Sequence, residues 1–226
     1  MPPRPRQLAL ALDHRESYAR EDFLAGPCNE GPLQLVDCWP DWPAHALALV
    51  GPEGSGKTHL AMIWAAAAGA RVISARGVHE AELPSALATG ALVVEDAAAG
   101  VDERALFHLI NLAREETAFL LFTARTVPAA WPVAIPDLAS RLRALPVITL
   151  LPPDDAMLRA VIVKLAADRQ LLLDESVVSY LSTHIERSFA AVRAAIIALD
   201  NEALRQRRPP TRALAAEMFR RSVASP

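Results

Sequence analysis

The chain has 226 residues, a formal net charge of −3 and 52% hydrophobic residues. That is ample for a buried core, in one large domain or one domain with a small second one, and the acidic balance argues against a dedicated, strongly basic nucleic-acid binder. Cys28 and Cys38 are the only cysteines, too few for a disulfide framework or a zinc site, and no apolar run matches a signal peptide or a membrane span, so a cytoplasmic protein with no membrane partner is expected.

Residues 1–32 carry Pro2, Pro3, Pro5, Pro27 and Pro32 and read as an extended arm followed by a loop. "HALALV" (45–50) reads as a buried strand, and a helical pattern runs from Lys57 to about Ala68. "RVISA" (71–75) is a second strand, followed by a weak helix over 78–88 that Pro84 interrupts. "ALVVED" (91–96) is a third strand. Asp102 is placed to cap a helix that lines Leu106, Leu109, Ile110 and Ala113 along one face. "AFLLFTA" (118–124) is a fourth strand, "PDLASRLRA" (136–144) a short helix with proline at its start, and "VITLL" (147–151) a fifth strand.

The pattern changes after Pro152 and Pro153. No convincing strand follows, and helices are predicted near 154–170, 175–185, 188–207 and 211–223, capped by Asp154, Asp174, Ser188 and Thr211. Alternating strands and helices predict an α/β core with a five-stranded parallel sheet covered on both faces. The organisation read here is an arm at 1–32, a nucleotide-binding core at 33–152 and an α-helical lid at 153–226.

Between the first strand and its helix stands "GPEGSGKT", which fits the phosphate-loop pattern G-x-x-x-x-G-K-[ST]. Gly51, Pro52, Glu53, Gly54, Ser55 and Gly56 let the backbone curl so that its N–H groups face phosphate oxygens. Lys57, one of two lysines in the chain, supplies a compact charge, and the helix start adds its positive end. Thr58 offers a hydroxyl to Mg²⁺. His59, next in line, is either part of the nucleotide site or a packing residue. The expected cofactors are ADP or ATP and Mg²⁺.

The third strand ends in Glu95 and Asp96. An acid at this place holds the metal through water in phosphate-loop sites, so Glu95 is the second metal residue and Asp96 faces the attacking water. The alternative is a pair of solvated acids. Trp39, Trp42, Trp64 and Trp131 read as packing residues, because no basic groove accompanies them.

"PDLASRLRALPVITLLPPDD" (136–155) and "FAAVRAAIIALDNEAL" (189–204), together with the loop and the strand-end acids, resemble the replication-initiator (DnaA) group of AAA+ ATPases, and within it the Hda family of regulatory inactivators, over about residues 7–222. The resemblance implies an AAA+ phosphate-loop fold with a helical lid. It implies that Arg141 is an arginine finger entering a neighbouring subunit's site, and Arg193 the lid arginine (sensor II). The resemblance also points to Thr123 as the best match to the sensor I residue, although "TARTVP" departs from the family's Asp-Arg run, and it puts Phe23 where the family contacts adenine. Each has a plainer reading: Arg141 on the surface, Arg193 snorkelling from an apolar face, Phe23 in the core.

The family also has an anchor. "QLALAL" (7–12) resembles its docking peptide for the β sliding clamp of DNA polymerase III, with Gln7, Leu8, Leu10 and Leu12 entering a groove; an edge strand showing alternate leucines to its own core is the other reading. The resemblance implies a regulator of chromosome replication initiation that docks on the clamp near the nucleoid and stimulates hydrolysis of DnaA-bound ATP. Weak intrinsic turnover and a homo-oligomer also fit. Strong direct DNA binding is not expected, since the chain stops shortly after the lid; a DNA-binding adaptor is the least favoured reading. A self-contained phosphate-loop ATPase or small-molecule kinase is the alternative.

Overall fold

The computed structural model describes residues 18–98 and 100–223, so Gln7, Leu8, Leu10 and Leu12 lie outside the described residues. Five strands, β1 (Ala46–Val50), β2 (Arg71–Ser74), β3 (Ala91–Glu95), β4 (Phe119–Ala124) and β5 (Val147–Thr149), form one parallel sheet in the order β2-β3-β4-β1-β5. Apolar runs make the central strands because both faces are covered. Period-two alternation then sends Leu47, Leu49 and Val93 to one layer and Ala48, Leu92, Val94 and Phe122 to the other.

The first layer is closed by α1 (Glu30–Asp37) and α2 (Lys57–Ala68), through Leu33, Val36, Leu60 and Trp64. Trp42 stacks on Trp64 with ring centroids 4.8 Å apart, and Trp131 is buried in the second layer, so these indoles pack the core. That second layer is closed by α4 (Glu103–Glu115) and α5 (Pro136–Ala144). The predicted face of α4, Leu106, Leu109, Ile110 and Ala113, is the one it buries.

After β5 come α6 (Asp155–Asp168), α7 (Glu175–His184), α8 (Phe189–Gln206) and α9 (Arg212–Val223), built around their own core of Leu158, Ile162, Leu181 and Ile196. The predicted caps form. Asp102, Asp154, Asp174 and Ser188 each accept a hydrogen bond from a backbone N–H in the first turn of their helix.

Three local departures have physical causes. Helix α1 occupies a stretch read as loop up to residue 32. Its Pro32 sits in the first turn, where a missing N–H breaks no intrahelical bond. Asn29 secures the approach to it, accepting from Gly26 N at 2.9 Å and donating to Leu24 O at 2.9 Å. The weak helix expected over 78–88 is a 3-10 turn, Glu80–Glu82, followed by α3 (Leu83–Ala86), with Pro84 starting the second piece instead of interrupting one helix. Strand β5 ends two residues early because Leu151 N leaves the sheet for Cys28 O. Among the described residues no helix is long and apolar enough to cross a membrane.

Candidate functional site

The strand order puts β4 between β1 and β3, so the C-terminal ends of all three meet on one side of the sheet. Parallel α/β sheets bind ligands in the crevice at these ends. Here they carry Gly51–Thr58 after β1, Glu95 and Asp96 at the end of β3, and Thr123 near the end of β4.

The loop is a tight curl. Gly54 has φ +70° and Gly56 φ +94°, a region L side chains rarely adopt. A Cβ on Gly54 would also lie 2.7 Å from Ser188 Cβ. Gly56 supplies no side-chain cap, so no N-cap side chain takes up the N–H groups in the first turn of α2. Lys57 closes the curl, donating from Nζ to Gly51 O at 2.9 Å and Pro52 O at 2.8 Å. Its third N–H is the one left for a ligand. Burial pushes the ammonium below the ordinary lysine range, and Asp96 is the strongest opposing charge.

Thr58 Oγ1 donates to Glu95 Oε2 at 2.7 Å. The other carboxylate oxygen, Oε1, is buried without a protein partner, as is Ser55 Oγ inside the loop. Buried polar atoms are normally satisfied, so the two orphans fit a group that brings its own oxygens and a cation. Mg²⁺ takes few protein ligands and keeps phosphate and water for the rest; Thr58 and Glu95 are the pair that would hold it. Asp96 is left-handed, at φ +56°, and its N–H donates to Thr123 Oγ1 at 3.1 Å. Thr123 is 1% exposed. Its hydroxyl is therefore engaged with the Asp96 backbone.

Beside Gly56 a cavity of about 430 Å³ opens between residues 22–24 and helices α6 and α8. Phe23, His59, Phe189 and Arg193 line it, which brings the predicted Phe23 and Arg193 to the same space. Phe23 is also a core residue, 8% exposed, with its ring edge against His59. His59 meets Phe23 and Tyr18 edge to face, at 5.2 and 5.4 Å, and its Nε2 lies 3.2 Å from Ala19 O. Burial lowers its affinity for a proton. It is a packing residue that also walls the cavity.

The helical region touches the loop directly, Phe189 N donating to Gly54 O at 2.8 Å. Lys164 ties α6 to the N-terminal segment, with Nζ 2.7 Å from Asp22 and 2.9 Å from Asp168. Sequence reasoning missed these links and a third, Arg125 to Glu53 at 2.7 Å. The available signal was position: Ser188 and Phe189 start a helix, and Arg125 follows β4 directly. Arg141 stands elsewhere, in the last turn of α5, its guanidinium carbon 5.2 Å from the centre of the Phe107 ring.

No family model and no curated protein matches the chain. Solved structures do. Domain III of the Thermotoga maritima replication initiation protein DnaA aligns at TM-score 0.69 and 20% identity, over 85% of this chain and 91% of that one. AMPPCP-bound DnaA from Aquifex aeolicus aligns at TM-score 0.64 and 20% identity, over 80% and 64%. The Thermotoga maritima RuvB Holliday junction branch migration motor aligns at TM-score 0.72 and 15% identity, over 90% and 72%. The chain thus has the α/β fold of the AAA+ ATPase domains of DnaA and RuvB, a five-stranded parallel sheet followed by a helical C-terminal region.

Proposed function

We propose that the chain binds ADP or ATP with Mg²⁺ at Gly51–Thr58 and uses the bound nucleotide to set the shape it presents to replication proteins. The observation that carries the reading is the Thr58–Glu95 hydrogen bond beside the buried Lys57, in a loop whose Gly56 lines a cavity of base-plus-sugar size. The DnaA chain from A. aeolicus carries AMPPCP on a similar fold. Phosphates would lie against the loop, with the base toward Phe23 and Arg193.

The reading extends to an Hda-type regulator. The arm would dock on the β sliding clamp through Gln7, Leu8, Leu10 and Leu12, and α5 would present Arg141 to ATP bound by DnaA. A guanidinium supplied in trans stabilises charge that builds on the transferring phosphoryl group, so hydrolysis would depend on assembly. Support comes from the "PDLASRL" stretch, the DnaA-like fold and the half-exposed position of Arg141. The test is a pull-down on clamp with wild type and Gln7→Ala, followed by DnaA ATP hydrolysis with wild type and Arg141→Ala. Loss of capture in the first variant and of stimulation in the second is expected; intact stimulation by Arg141→Ala overturns the finger assignment.

A second reading, a self-contained ATPase, draws on Asp96. Its backbone is held by Thr123, and it is the acid that acts most strongly on Lys57. Rapid ATP turnover by the purified chain without partners would favour it.

A further inference from the structure

Helix α5 has no cap of its own. Its N-cap residue, Ile135, carries an apolar side chain and makes no capping hydrogen bond. The acceptor comes from α4 instead. Glu103, the first residue of α4, accepts at one carboxylate oxygen, Oε2, from Ala134 N at 2.8 Å and from Ile135 N at 3.0 Å. These are the last two N–H groups before Pro136, which has none. In a capping box an acid within the helix satisfies the N-cap N–H; here the acid belongs to the neighbouring helix.

One turn further along α4, Phe107 lies beneath the half-buried Arg141, whose guanidinium carbon is 5.2 Å from the ring centre. Among the described residues Arg141 has no ion pair, although Asp137 stands one turn earlier on the same helix, at i,i+4 spacing. Arg159, Arg169, Arg187 and Arg205 are each paired with an acid. An aromatic face holds a guanidinium without consuming any of its five N–H donors. Arg141 is therefore fixed in direction and left open in hydrogen bonding, and α4 supplies both the ring under it and the cap of its helix.

We propose, on the reading of Arg141 as a finger for DnaA-bound ATP, that Glu103 is its positioning residue. Glu103 fixes where α5 starts and so where the guanidinium ends. From Ile135 to Arg141 the helix rises about 9 Å, so a tilt of about 10° at its start displaces the far end by about 1.5 Å. Misplacement by about 1 Å can cost on the order of a hundredfold where a reaction depends on orientation. A carboxylate that accepts two N–H groups makes charge-assisted hydrogen bonds, stronger than those a neutral cap would give. Glu103 touches no phosphate in this arrangement; it acts through the helix alone.

The test uses the full chain in clamp-dependent hydrolysis of DnaA-bound ATP, titrated to saturation, for wild type, Arg141→Ala, Glu103→Ala and Glu103→Gln. Hydrogen exchange at the Ala134 and Ile135 amides is read on the same proteins. Glu103→Ala is expected to lower maximal stimulation about tenfold, to change the half-saturating concentration less than twofold and to speed exchange at both amides. Glu103→Gln keeps an acceptor oxygen and is expected to recover most of the stimulation and of the protection. If Arg141→Ala abolishes stimulation while Glu103→Ala stimulates fully, the Glu103 assignment falls and the finger stands. A rise in half-saturating concentration at an unchanged maximum would make Glu103 a docking contact and also overturn the assignment. If wild type gives no stimulation, or Arg141→Ala stimulates as well as wild type, the finger reading falls and takes the Glu103 assignment with it.

Discussion

Thr58 and Glu95, thirty-seven positions apart in sequence, are joined by a 2.7 Å hydrogen bond that ties the first turn of α2 to the end of β3. The hydroxyl gives its one proton to the carboxylate, so each partner keeps lone pairs for a cation. Removing Mg²⁺ with a chelator is expected to weaken nucleotide binding. Thr58→Ala and Glu95→Gln are each expected to reduce the Mg²⁺-dependent part about tenfold, the equivalent of ~1.4 kcal/mol, while leaving the metal-free affinity nearly intact. Titrations with and without metal check this. Equal losses in both conditions would assign the pair to the fold instead of the metal.

Lys57 makes a prediction with two signs. Burial lowers its pKa in the nucleotide-free protein, so the unfolded chain binds the proton more readily. Stability from this group therefore rises with pH between the lowered folded value and 10.5, where the unfolded lysine titrates. A bound phosphate favours the ammonium, so nucleotide affinity is expected to fall over the same alkaline window. Lys57→Met is expected to lose about a hundredfold in affinity, ~2.7 kcal/mol. The variant's nucleotide-free melting temperature should be no lower than wild type's, because a buried charge is gone. Affinity and melting scans at matched pH check both halves.

The loop and the strands were legible because they are local signals. Glycine spacing, an apolar run before it and a helical pattern after it are contained in residues 45–68. The helix starts were legible for the same reason, each cap lying two or three residues from the N–H groups it accepts. What escaped depended on distance in sequence. Arg125 meets Glu53 because β4 inserts beside β1. Phe189 meets Gly54 because the helices after β5 return over the loop. Lys164 meets Asp22 across 142 positions. No period or composition encodes such pairs. Helix α1 was hidden differently: glycine and proline in its first turn look like a loop, although both are tolerated there.

Gly54 is expected to be intolerant of a side chain for two reasons that can be separated. Its φ of +70° strains any L residue, and an added Cβ would lie 2.7 Å from Ser188 Cβ. Gly69, at the end of α2, has φ +63° and nothing within 4 Å of the same added atom. Gly69→Ala is therefore expected to cost only the left-handed strain, about 1 kcal/mol. Gly54→Ala is expected to cost about 2 kcal/mol or more, because Ser188 and the start of α8 must shift as well. Urea denaturation of the two variants measures the difference. The clash argument fails if their midpoints coincide.

His59 sets the behaviour on the acid side. Burial among Phe23 and Tyr18 lowers its pKa from 6.5, and the backbone oxygen of Ala19 opposes this only in part. The folded state therefore holds a neutral ring where the unfolded chain holds a charged one. Stability rises with pH between the lowered folded value and 6.5, is fully present above 6.5, and declines on acidification through that window. Replacing the ring by phenylalanine keeps an aromatic edge between Phe23 and Tyr18 and removes the titration. His59→Phe is expected to lose less stability than wild type between pH 7 and pH 5. Denaturation midpoints at the two values, for both proteins, give the comparison. An equal loss would mean that carboxylates such as Asp22, which pairs with Lys164 at 2.7 Å, set the acid limit instead.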